Sequence, residues 1–88
     1  MSADEIVTQA AQLITSGDYA GAMGVFEVYI DSNPDDPTGY HGWAEAALFD
    51  IQENGNLDDK GNDRINEGQI NAYFRRAASM APDNADYN

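Results

Sequence analysis

The 88-residue sequence contains no cysteine, so a disulfide framework, a thiol nucleophile and a thiolate metal site are excluded. It also has no apolar run approaching the ~20 residues that a membrane-spanning helix needs. The first residues include Asp4 and Glu5 but no basic residue, which argues against a secretory signal or an Arg-rich transit peptide. We therefore expect a cytoplasmic protein that does not insert into a membrane.

Basic residues are scarce and confined to one part of the chain. Residues 1–59 contain twelve acidic residues and no Lys or Arg, and the four bases that follow are Lys60, Arg64, Arg75 and Arg76. The formal net charge of -12 repels phosphate backbones and anionic lipid headgroups, so neither nucleic acid nor a membrane surface is an expected partner. The acidity indicates either solubility in a salty cytoplasm or attraction for a basic partner, and the sequence leaves both open.

Residues suited to catalysis are few. His41 is the only histidine, and the helical pattern places it on a helix face with no nucleophile beside it, unlike a Ser/His/Asp arrangement. Gly17, Gly21 and Gly24 match neither a phosphate-binding loop nor a dinucleotide-binding pattern. We expect a protein that is not an enzyme and that uses no cofactor.

Apolar residues recur at three- and four-residue spacing in four segments, which is typical of amphipathic helices. Gly17 is suited to ending the first helix and Asp18 to capping the second. Pro34 disfavours helical geometry in the residue before it, and Asp63 is the expected cap of the last helix. The sequence therefore predicts an all-α fold with helices near 4–16, 19–32, 38–53 and 63–81.

The second and fourth helices share a signature, in which a small or apolar residue is followed by an aromatic residue and then by a proline. The two sets have the same spacing: Ala22, Phe26 and Pro34, then Ile70, Phe74 and Pro82. Residues 3–36 span 34 positions, and their turn Gly17-Asp18-Tyr19 precedes the first signature. In length and pattern this segment resembles a tetratricopeptide repeat, which has about 34 residues.

The resemblance is weaker in residues 37–84. Tyr40, Trp43 and Ala44 fit the first helix of a second repeat, but a polar insertion lies near 52–66. In the first repeat, Gln9 and Tyr29 depart from the usual Leu and Ala. The resemblance implies one domain over residues 1–88, built as a right-handed helical repeat of two antiparallel helix hairpins.

In this family, extended peptides usually lie against the first helix of each pair, on the concave side. The resemblance places these residues there: Val7, Ala11, Ile14, Thr38, His41, Glu45 and Leu48. It implies a scaffold or adaptor that binds a peptide with apolar anchors and basic flanks. Members that capture a terminal carboxylate use basic groove residues. This chain has Val7 and Ala11 at the matching positions and no base before Lys60, so it is not expected to bind a terminal carboxylate in this way.

Two alternatives remain. The first is self-assembly, because two repeats leave apolar end faces exposed, and Tyr73, Met80 and Tyr87 are candidates to pack against a second copy.

The second alternative is a calcium-responsive loop over residues 56–67, with Asn56, Asp58 and Glu67 as candidate ligands. Gly and Glu occupy the sixth and twelfth places, as in an EF-hand loop. However, Asn56 replaces the usual leading Asp, and Lys60 puts an ammonium where a ligand oxygen belongs. We therefore expect a mobile polar extension without a bound metal.

Overall fold

Four helices follow one another in the computed structural model, which describes residues 3–80. They are α1 (Ala3–Thr15), α2 (Tyr19–Ser32), α3 (Pro37–Asn54) and α4 (Glu67–Met80). Each helix packs against the next one, and α1 also contacts α3. Within residues 3–80 the only β-type pairing is an isolated bridge between Leu57 and Asp63. The prediction of an all-helical fold with four helices is confirmed.

A glycine ends α1. Gly17 has a φ of 86°, in the left-handed region that favours glycine. The Asp18 N–H donates to the Leu13 carbonyl at 2.8 Å, and the Gly17 N–H donates to the Ile14 carbonyl at 3.0 Å. Asp18 then caps α2, since its carboxylate accepts a hydrogen bond from the Gly21 N–H at 2.9 Å. The predicted Gly-Asp turn is therefore confirmed.

Hydrogen bonds on both sides hold the connection between α2 and α3. Asp36 caps α3 by accepting from the Thr38 N–H at 2.9 Å, and it also accepts from the Tyr29 hydroxyl. The Tyr40 hydroxyl donates to the Pro34 carbonyl at 2.8 Å. Burial raises the pKa of Asp36, but hydrogen bonds from Tyr29 and Thr38 outweigh this effect and leave that pKa below its ordinary value.

Small residues let the helices approach closely. Five alanines are fully buried in the core, namely Ala22, Ala44, Ala46, Ala47 and Ala77. At Gly42 a Cβ atom would lie 2.2 Å from the Phe26 ring, and at Gly39 it would lie 2.6 Å from the Ile30 side chain. Both glycines of α3 are therefore required by the contact with α2, which sequence analysis did not identify.

The last helix begins four residues later than predicted. Asp63 does not cap it, because Asp63 pairs with Leu57 in the bridge. The cap is instead Asn66, whose side-chain oxygen accepts from the Gln69 N–H at 3.2 Å. The predicted start at residue 63 is wrong because residues 56–65 pair with each other across the connection. Pro82 of the second signature and Tyr87, a candidate for self-assembly, lie outside the described residues.

Candidate functional site

Two of the predicted groove residues line a shallow depression on the outer face of α1. Val7 is 48% exposed, and Ala11 is exposed one turn further along. Together with Thr8, Gln12 and Thr15 they enclose about 480 Å³. We call these five residues the α1 depression. Its walls are methyl and methylene groups except for the amide and hydroxyl groups at its rim, so an apolar side chain is the chemistry it would take.

The other predicted groove residues do not line the α1 depression. Ile14 is half-buried and packs against the core. His41 is half-buried, and its ring meets the edge of Phe74 at 5.6 Å between centroids. Glu45 is exposed, and Leu48 is 37% exposed. Thr38 is half-buried at the start of α3, where its backbone N–H is used by the Asp36 cap.

His41 therefore contributes to the packing of α3 against α4. Its aromatic neighbour Phe74 comes from α4, so the ring ties the two helices of the second half together. The structure thus brings Val7 and Ala11 together and leaves the proposed continuation of the groove onto α3 as a prediction.

A different groove, which sequence analysis missed, lies where α2, α3 and α4 meet. It encloses about 370 Å³ and is lined by six residues: Glu27, Ile30, Asp31, Trp43, Gln69 and Tyr73. We call these six residues the aromatic–acidic groove. Two carboxylates and two aromatic rings face the same space, and no Lys or Arg belongs to its lining.

Trp43 is fixed at the base of the aromatic–acidic groove. Its indole N–H donates to the Glu27 carboxylate at 3.0 Å, and its ring meets Tyr73 edge-on at 5.1 Å between centroids. Tyr73 in turn meets Tyr40 edge-on at 5.2 Å. The Arg76 guanidinium lies 4.9 Å from the centre of the Tyr40 ring, a cation–π distance. The aromatic cluster therefore already has one guanidinium against its Tyr40 ring.

Sequence patterns gave only a partial signal for this groove. Glu27 and Asp31 are four residues apart in one helix, so they share a face, and Trp43 is the only tryptophan. The contacts that assemble the groove join residues 27, 43 and 73, which are far apart in the chain, and no local spacing encodes such contacts.

The candidate calcium loop is closed by its own hydrogen bonds. One Asp58 carboxylate oxygen accepts from the backbone N–H groups of Lys60 and Asn62 at 2.8 and 2.9 Å. The Asn56 amide oxygen accepts from the Ile65 N–H at 2.8 Å, and its amide N–H₂ donates to the Glu67 carboxylate at 3.3 Å. Across residues 3–80 no three acidic, His or Cys side chains are grouped so that they would hold a metal ion. Weak or absent calcium binding stays a prediction.

An ion pair between the exposed Arg64 and the buried Asp50 anchors this loop to α3. Arg64 donates to the Asp50 carboxylate at 2.9 Å and to the Gly55 carbonyl, and Asn54 donates to the same carboxylate at 3.0 Å. Asp50 is the only charged residue that is buried within residues 3–80. Burial raises its pKa, but the hydrogen bonds and the positive charge of Arg64 outweigh this effect and leave the pKa below its ordinary value.

Comparison with protein-family models, curated proteins and solved structures found no match to this chain. Across the described residues, no helix combines the length and the apolar character needed to cross a membrane. The functional argument therefore rests on the surfaces of the molecule itself.

Proposed function

We propose that the chain is a non-enzymatic protein-binding module of the tetratricopeptide-repeat type, which holds a peptide with apolar anchors and basic flanks against its first helix. Support for the repeat comes from two features of the first half. The Gly17–Asp18 turn joins α1 to α2, and the expected small contact residues Ala10 and Ala22 are almost fully buried between helices. Both are what a repeat of this type requires.

The observation that carries the binding proposal is the α1 depression. Val7 and Ala11 present apolar surface to solvent on the face of α1 next to the one that Ile6 and Ala10 bury in the core. An apolar anchor from a partner would cover that surface. The surrounding chain is acidic, so Lys or Arg residues beside the anchor would speed association and make it sensitive to salt.

Peptide selection followed by affinity measurement tests this function. Display of random peptides against the native protein should enrich sequences with apolar anchors and flanking bases. We expect Val7→Glu to weaken binding of a selected peptide at least about tenfold, because a carboxylate would face the anchor. The matched control is Val28→Glu, since Val28 is a 59% exposed valine on α2 that lies outside the depression.

The Val28→Glu control shows whether an effect of Val7→Glu is specific to the α1 depression. Equal losses in the Val7 and Val28 variants would mean that added negative charge, or loss of folding, causes the effect. Equal peptide affinities in both variants and the native protein would show that the α1 depression is not the binding surface. Light scattering over a range of concentrations separates peptide binding from the alternative, self-assembly, in which the apparent mass would rise with protein concentration in the absence of any peptide.

A further inference from the structure

We propose that the aromatic–acidic groove is a second binding site, which takes an arginine side chain from a partner protein. None of the seven residues predicted to bind peptide on α1 and α3 lines this groove. The inference therefore goes beyond the proposed function and does not depend on it.

The groove provides the two kinds of group that recognise a guanidinium. Its carboxylates, Glu27 and Asp31, lie one turn apart on α2 and supply the negative charge and the acceptors. Trp43 and Tyr73 supply aromatic rings, to which a planar cation is attracted. The hydrogen bond from Trp43 to Glu27 holds a ring and a carboxylate in a fixed relation before any ligand arrives.

Charge complementarity determines the class of occupant. The groove lining contains two acids and no base, so an anion would be repelled, and a neutral apolar group would remove water from the two carboxylates without supplying a compensating charge. Arginine fits better than lysine, because its flat guanidinium stacks on aromatic rings and bonds to carboxylates in pairs. Arg76 lies over Tyr40, which contacts Tyr73 edge-on, so one ring of the same aromatic cluster already has a guanidinium at a cation–π distance.

The chain itself is a poor source of this arginine. Residues 81–88 contain no Lys or Arg, Arg64 is bound to Asp50, Arg76 lies over Tyr40, and Arg75 is not among the residues that line the groove. A second copy would bring sixteen acidic residues with its four bases, so two copies repel each other overall. A separate, basic partner is therefore the occupant that we infer.

Fluorescence of the only tryptophan reports directly on the groove. The probe is a blocked hexapeptide of leucine, alanine and two arginines, titrated into the full chain. Two matched peptides replace arginine with lysine or with citrulline, which has nearly the same shape as arginine but no charge. We expect a saturable change in Trp43 emission with the arginine peptide, weaker binding of the lysine peptide, and no saturable change with citrulline.

Conservative variants then test the carboxylates. The double variant Glu27→Gln and Asp31→Asn keeps an acceptor for the Trp43 indole while it removes both charges, and it should weaken binding of the arginine peptide about tenfold. The control, Glu53→Gln with Asp59→Asn, changes net charge equally at exposed positions outside the groove and should weaken binding less than about twofold. Val7→Glu should likewise leave the emission change intact.

Several outcomes would overturn the proposal. Equal responses to arginine and citrulline peptides would show that charge is not recognised, and equal affinity for lysine would remove the preference for a guanidinium. Equal losses of peptide affinity in the two double variants would mean that the overall negative charge of the protein, and not the groove, attracts the peptide. A concentration-dependent dimer that disappears only in the Glu27 and Asp31 variant would make a second copy the occupant.

Discussion

The two helix hairpins of this molecule are closed in different ways. Between α1 and α2, three residues suffice, and the turn is held by backbone hydrogen bonds and one glycine with positive φ. Between α3 and α4, the connection runs from residue 55 to 66, and side chains, chiefly Asn56 and the Arg64–Asp50 pair, add to its backbone hydrogen bonds. A short turn depends on backbone conformation, whereas a long connection depends on contacts between residues far apart in sequence.

The largest expected effect comes from breaking the Arg64–Asp50 ion pair of the second hairpin. Asp50→Ala leaves the Arg64 guanidinium without its carboxylate, and we expect it to lower the free energy of unfolding by about 2–3 kcal/mol. Glu53→Ala is the control, because it removes an exposed acid from the same end of α3 and should stay within about 0.5 kcal/mol. Urea denaturation measures both, and similar losses would show that the connection does not depend on this pair.

The first hairpin should be sensitive to a substitution that restricts its backbone conformation. Gly17→Ala forces a side chain into the left-handed region, which costs about 1–2 kcal/mol, although no atom would clash with the new Cβ. Gly24→Ala, which also meets no atom but lies within α2, should instead stabilise the protein by about 0.5–1 kcal/mol. Thermal unfolding shows whether each variant is more or less stable than the native protein, and a stabilised Gly17→Ala variant would contradict the turn geometry.

The sequence predicted the first hairpin better than the second, because the turn of the first hairpin depends on local signals. Gly17 and Asp18 are local signals, and the helix boundaries on either side of them agree with the structure to within one residue. Arg64 and Asp50 are fourteen residues apart, and nothing in the spacing of either residue indicates their contact. The late start of α4 and the aromatic–acidic groove were missed because both depend on such distant contacts.

Acid should weaken the second hairpin through Asp50. Asp50 has a lowered pKa in the folded protein, so its stabilising contribution is present above its unfolded pKa of about 3.9 and is lost as the pH falls through the folded pKa. We expect the melting temperature to fall between about pH 5 and pH 3, and to fall less in Asp50→Asn. Identical slopes in both proteins would mean that Asp50 does not contribute to the acid response.

The proposed binding of an apolar peptide segment against α1 is best tested by titrating the ¹⁵N-labelled protein with a peptide selected by display and following the amide chemical shifts. We expect saturable shifts concentrated at Val7, Thr8 and Ala11, with Val28 unaffected. Saturable shifts confined to other surfaces, with the α1 amides unchanged, would contradict it.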